Sequence, residues 1–166
     1  MAKPNAFVKI SGNLIEKEDV LGWLKNLSRK YFVVVCIGGG KQINKAFQDH
    51  GFDINFGTLG RITKTLEERQ VARDVLEQNQ AMIQDLLDEQ GIHARVSKPV
   101  LDIATVLCHV NGDIQVLAAY NGYDSLYILT LESKVKDKET WLKKLAECFV
   151  PGEEDARLDK IKVIGF

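Results

Sequence analysis

Proline and cysteine are scarce in this chain, with three of each among 166 residues. Cys36, Cys108 and Cys148 are odd in number and sit among apolar neighbours. They do not form the disulfide framework of a small secreted domain, and they read as buried reduced thiols of a cytoplasmic protein. His50, His93 and His109 lie far apart with no Cys or His at ligand spacing, which argues against a structural zinc site. No apolar run approaches the roughly 20 residues that a membrane-spanning helix needs. Met1-Ala2-Lys3-Pro4 runs straight into a strand-like segment, so no signal peptide is expected. Charge of one sign is also missing: 22 Lys plus Arg face 23 Asp plus Glu, a formal net charge of −1. The basic stripe of a nucleic-acid binder is therefore not expected. Repeats, linker tracts and low-complexity segments are absent.

What is present is an ordinary globular composition, 45% hydrophobic and 27% charged. The length suits one domain with a core of its own. Short apolar runs at residues 6–10, 32–37, 92–96, 103–110, 125–131 and 160–164 predict strands. Helical spacing predicts helices over residues 17–29, 41–50 and 66–89, from residue 111 onward, and over 141–149. Val150 precedes a proline and should end the last of these, and residues 151–154 read as a loop. The run FVVVCI at 32–37 is apolar throughout, as in a strand covered on both faces. Strands alternating with helices predict a three-layer αβα sandwich with a mainly parallel sheet.

In such a sheet, strand-to-helix turns open on the carboxyl edge, where ligands bind. Two turns stand out. Val8-Lys9-Ile10-Ser11-Gly12 carries a lysine out of a strand into a glycine. Gly38-Gly39-Gly40-Lys41-Gln42-Ile43-Asn44 places three glycines between the buried strand and a helix. Glycines let backbone N–H groups approach an anion, and the helix N-terminus that follows favours negative charge. Neither turn is a Walker loop or a dinucleotide fingerprint. The plain alternatives are a tight turn at Gly38 to Gly40 and a lysine that simply reaches solvent at Lys9.

Gly60-Arg61-Ile62-Thr63, followed by a long helix carrying Asn79, resembles the substrate-binding stretch of the N-acetylglutamate kinases, within the amino acid kinase superfamily. Other landmarks follow that superfamily's order. Lys9-Ile10-Ser11-Gly12 is similar to its first lysine–glycine motif, and Gly38 to Asn44 to its glycine-rich acceptor loop. Asn111-Gly112-Asp113 resembles its Asn-x-Asp motif, and residues 124–137 (DSLYILTLESKVKD) its nucleotide-side strand and loop. The resemblance implies a single amino-acid-kinase-like domain, with residues 1–110 as the acceptor-side half and residues 111–166 as a shortened nucleotide-side half.

By the same resemblance, Lys9 contacts the transferring phosphoryl group and Asp113 holds the catalytic lysines in position. Gly12, Gly38, Gly39 and Gly40 cradle phosphate and acceptor, Arg61 clamps an acceptor carboxylate, and Asn111 contacts acceptor atoms. Thr130, Lys136 and Asp137 flank the nucleotide. ATP and Mg²⁺ are the implied cofactors, with a small-molecule acceptor and a nucleotide as partners and homo-oligomerisation left open. An ionised carboxylate acceptor needs no general base, so positioning and charge neutralisation suffice. Arg61 also suits a phosphate, as in a uridylate-kinase-like specificity.

The chain is shorter than superfamily members usually are. Ser11 replaces the first glycine of the usual pair, Lys134 stands at a glycine position, and Thr140 stands where a proline is common. The second catalytic lysine has three candidates: Lys134, Lys136 and Lys162. The rest of the charged run at 132–139 reads as a solvated surface turn. Arg61 could instead pair with Glu67 or Glu68, and Asp113 could merely favour a helix dipole that Asn111 caps. Two functions follow: an ATP-dependent phosphotransferase acting on a small carboxylate or phosphate, or a catalytically inactive relative serving as a ligand-binding or assembly module.

Overall fold

The computed structural model describes residues 2–57, 60–103, 106–109, 111–149 and 158–166. In chain order the elements are β1 (Asn5–Ile10), α1 (Glu18–Lys30), β2 (Phe32–Ile37), α2 (Gly40–Asp49), β3 (Asn55–Gly57), β4 (Gly60–Ile62), α3 (Leu66–Glu89) and β5 (Ala94–Ser97). They continue with β6 (Val100–Ile103), β7 (Val106–His109), α4 (Gly112–Ala118), β8 (Ser125–Thr130), α5 (Val135–Phe149) and β9 (Ile161–Gly165). Five strands form one sheet in the order β5-β2-β1-β8-β9, and every pairing in it is parallel. All carboxyl ends therefore share one edge. Helices cover both faces, as strand–helix alternation predicts.

Strand alternation decides which layer each side chain meets. Ala6, Val8 and Ile10 of β1 join Val33, Val35 and Ile37 of β2 on one face, packed against Val20, Leu24 and Leu27 of α1 and Leu87 of α3. Phe7 of β1, Val34 and Cys36 of β2, and Leu126 and Ile128 of β8 face the other way, against Val116 of α4 and Leu142 of α5. Lys9 shares the parity of Phe7, so its side chain enters the layer of α4 and α5. A separate apolar group, Ile43 and Phe47 of α2 with Ala72 and Leu76 of α3, joins those two helices. A capping box fixes the start of α3: the Thr65 side chain accepts from Glu68 N–H, and Glu68 reaches back to the Thr65 backbone.

Three departures from the sequence reading matter. Residues between α2 and α3 hold an antiparallel pair of short strands, β3 and β4, where the sequence reading placed neither helix nor strand. The strand expected over 103–110 does not enter the sheet; β6 and β7 pair with each other in a second antiparallel hairpin. Ala104, Thr105 and Val110 lie outside the described residues, as do Val150 and the loop expected at 151–154. Finally, α5 begins at Val135 rather than at residue 141. Only one residue of VKDKET is apolar, so the periodicity that marks a helix begins one turn and a half too late. Among the described residues, no helix is long and apolar enough to cross a membrane.

Candidate functional site

β1 and β2 end level with each other, Ile10 opposite Ile37, and the turns that follow them open side by side. Gly12 takes φ of +56°, a left-handed conformation that other residues adopt only with strain. Gly39 caps α2, and a Cβ on it would stand 2.9 Å from Asn79 Nδ2 and 3.1 Å from Leu76 Cδ2. The glycine turn thus lies directly on α3. These turns, the β3–β4 hairpin and the start of α4 enclose a cavity of about 330 Å³. Of the residues expected to form a site, the cavity brings together Lys9, Gly12, Gly38, Gly39, Gly40, Arg61 and Asn111.

Lys9 is 7% exposed and Asp113 is fully buried. Asp113 Oδ1 lies 3.2 Å from Lys9 Nζ, and Oδ2 lies 2.8 Å from Lys138 Nζ. One carboxylate therefore spans two ammonium groups, from β1 and from α5. The contact with Lys9 is a close ion pair, and the Lys9 ammonium also donates to Ser11 Oγ at 2.8 Å. Gly112 leaves room for this arrangement: a Cβ there would stand 3.2 Å from both Cγ and Cε of Lys9. Asn111 is the N-cap of α4 and its Oδ1 accepts from Asp113 N–H at 3.1 Å. Asp113 is therefore more than a favourable charge at a helix start.

Burial lowers the Lys9 pKa, partly offset by Asp113 and reinforced by Lys138. For Asp113, burial pushes the pKa up, but the ammonium groups of Lys9 and Lys138 outweigh it and hold the carboxyl below its ordinary value. Cys36, on the same face of the sheet, is buried and free of disulfide. Burial pushes its thiol up to about 12, so it is an unreactive neighbour.

Arg61, on β4, also lines the cavity. Its Nη2 donates to Asn44 Oδ1 at 2.6 Å and to the Gly40 carbonyl at 3.2 Å. Its guanidinium carbon stands 5.0 Å from the ring centroid of Phe47 and 4.7 Å from that of Phe56, within cation–π range. Nη1 is buried, with no partner among the described residues. Neither Glu67 nor Glu68 pairs with Arg61; Glu68 is committed to the capping box, where its Oε2 also accepts from Lys64 N–H. Asn79 of α3 has a buried Nδ2 without a partner among the described residues.

Thr130, Lys136 and Asp137 do not line this cavity. Thr130 is buried at the end of β8, on the carboxyl edge. Lys136 and Asp137 are exposed in the first turn of α5. Lys134 and Lys162, two of the candidates for a second site lysine, do not reach Asp113 either; Lys134 is exposed, and Lys162 Nζ lies 6.0 Å from the Tyr127 ring centroid. The lysine that meets Asp113 is Lys138, hidden in the run assigned to a surface turn. A signal was available: Lys138, Leu142 and Leu145 follow one another at i, i+4 and i+7, and the latter two are core residues. Asn44, Phe47 and Phe56, the supports of Arg61, also escaped the sequence reading.

A parallel sheet that presents glycine turns and cationic side chains around one cavity on its carboxyl edge defines an α/β protein with a cation-lined edge cavity. The profile of the amino acid kinase family matches residues 6–139, and the chain belongs to that family. Among solved structures, smu.665 from Streptococcus mutans UA159 is similar at 12% identity with a TM-score of 0.62, the match covering 95% of this chain and 93% of that one. An N-acetylglutamate synthase from Neisseria gonorrhoeae, complexed with coenzyme A and N-acetyl-glutamate, is similar at 12% identity with a TM-score of 0.55. That match covers 98% of this chain but 54% of the synthase. At such identity these two are likenesses of fold. No curated protein matches the chain by sequence.

Proposed function

We propose that the chain is a phosphotransferase that moves the terminal phosphoryl group of ATP to a small carboxylate or phosphate acceptor. The observation that carries this reading is the Lys9–Asp113–Lys138 cluster, a buried carboxylate holding two ammonium groups beside a cavity that Arg61 also lines. Phosphoryl transfer is catalysed chiefly by positioning and by neutralising charge spread over the phosphoryl oxygens. Lys9 meets that charge, and Asp113 orients Lys9 and Lys138 without acting as a base. Gly12 and Gly38 to Gly40 supply backbone close to the anion. Arg61 receives the acceptor's anionic group on Nη1, and Asn111 stands beside it on the cavity wall. Thr130, Lys136 and Asp137 would flank the nucleotide on the next strand and helix.

Among the described residues, no three His, Cys, Asp or Glu side chains converge as a metal cage, and Asp113 is engaged by two lysines. The residues therefore do not fit a protein-held Mg²⁺, and no step is assigned to one; a Mg²⁺ arriving on the nucleotide's own phosphates is the usual alternative. A second reading, a ligand-binding relative without turnover, draws on one observation: Thr130, Lys136 and Asp137 stay apart from the cavity. Calorimetric titration with Mg²⁺ and ATP distinguishes them. Nucleotide binding by the wild type supports the kinase, and Lys9→Met should then lower turnover far more than nucleotide affinity, whereas no nucleotide binding alongside retained binding of small acids supports the relative.

A further inference from the structure

The charged residues described on the cavity lining are of one sign. Among the described lining residues, Lys9, Lys41 and Arg61 are cationic and none is a carboxylate. Asp113, the acid that meets the lining residue Lys9, is fully buried and has one oxygen on each of two lysines. The neutral acceptors are largely spoken for. Ser11 Oγ accepts from Lys9, Asn111 Oδ1 from the Asp113 amide, and the Gly40 carbonyl from Arg61. The Gln42 side chain is the one lining amide without such a role.

The remaining wall is apolar: Ile43, Phe56, Ala72, Leu76 and Pro99. Phe56 is 61% exposed and stands against Arg61, so a bound molecule would gain apolar contact there. Arg61 Nη1, buried without a partner among the described residues, is the donor that an anion would satisfy. An ammonium entering this space would lose water, find no counter-charge among the described lining residues and face three cations.

We infer that the cavity takes a small anion with an uncharged, largely apolar body and no ammonium group, and that it rejects free α-amino acids. This deepens the acceptor-site reading and rests on it. The phosphate or carboxylate head sits on Arg61, and the body lies along Ile43, Leu76 and Phe56. Selection against amino acids comes from a repulsive element as much as from an attractive one.

The test is binding to the whole chain without nucleotide, by calorimetry and ligand-observed NMR, using 3-phenylpropanoate, 2-phenylethyl phosphate, phenylalanine and gluconate. Phenylalanine is 3-phenylpropanoate plus an ammonium group, and gluconate is ammonium-free with a hydroxylated body. The expected result is that one or both of the phenyl anions binds at least about tenfold tighter than phenylalanine and gluconate. The two heads separate a carboxylate from a phosphate acceptor. Arg61→Ala should lose at least about tenfold of the preferred ligand's affinity. Gln42→Glu, nearly isosteric and exposed, should narrow the preference over phenylalanine by about threefold or more. Equal or tighter binding of phenylalanine overturns the inference, as does equal binding of gluconate or no binding by any of the four. The selectivity holding while no ATP-dependent product forms leaves this inference standing and counts against the phosphotransferase reading alone.

Discussion

Two cationic walls face the same cavity, and they are built in opposite ways. Lys9 is almost fully buried and its charge is shared with Asp113, which holds Lys138 as well. Arg61 is half-buried, has no carboxylate partner among the described residues, and keeps one N–H group unsatisfied. The first wall is electrostatically closed before any ligand arrives, as suits a group that must be held still while charge develops. The second wall is open, held by Asn44, Gly40 and two aromatic rings, as suits a group that must be completed by its ligand. Removing a partner should therefore damage stability at the first wall and binding at the second.

The largest effect should come from Asp113→Ala. It leaves Lys9 buried beside a second lysine, and breaking a buried pair in this way costs about 3 kcal/mol or more. Urea denaturation measures it. A loss below about 1 kcal/mol would mean that the pair is not buried as described.

Gly165→Ala should come next, away from both walls. A Cβ on Gly165 would stand 2.7 Å from Glu132 Cα, a backbone atom that cannot swing aside, so a cost of about 1–3 kcal/mol is expected. Gly39→Ala should cost less, because its closest neighbour is the end of the Asn79 side chain. The same denaturation series ranks the two, and the reverse order would contradict the packing.

Arg61→Ala should cost only about 1 kcal/mol, the contribution of its contacts to Phe47 and Phe56, while small-acid binding is lost. Arg61→Lys should also bind weakly, since the planar fork is gone. A Tm lowered as far as in Asp113→Ala would erase the contrast between the walls.

The smallest effect is in acid. The Asp113 carboxyl is held below its ordinary value of 3.8, so between those two values the unfolded chain binds more protons than the folded one. Its stabilising contribution is complete above about pH 4 and is lost as pH falls through the folded value. Glu77 is lowered too, by its hydrogen bonds to Lys98 and Arg73, but that group is exposed and screened by salt. In high salt, the wild type should therefore lose stability below about pH 4 more steeply than Asp113→Asn. Parallel profiles would show that Asp113 titrates normally.

The two walls were not equally legible in the sequence. Lys9, Gly12, Gly38 to Gly40 and Asp113 sit within a few residues of a strand end or a helix start, where local pattern fixes position, and the parallel sheet then brings those turns to one edge. The fold class was legible for the same reason. Lys138 was not, because its place depends on the phase of α5, and that helix opens with five polar or charged residues in its first six. The support of Arg61 was hidden as well: Asn44 and Phe47 come from α2 and Phe56 from a three-residue strand too short to show alternation. Residues 103–110 read as one strand because an apolar run does not reveal that Ile103 and residues 106–109 belong to two strands paired with each other.

The central claim is that the Lys9–Asp113–Lys138 cluster works on a phosphoryl group. The most direct measurement is transfer of the terminal phosphoryl group of ATP, in Mg²⁺, to a panel of carboxylate and phosphate acceptors by the wild type, Lys138→Met and Lys134→Met. The account predicts product with the wild type, a loss of about 100-fold or more in Lys138→Met with nucleotide affinity changed far less, and near-wild-type rates in Lys134→Met. Transfer undiminished in Lys138→Met, or no transfer by the wild type to any acceptor, would contradict it.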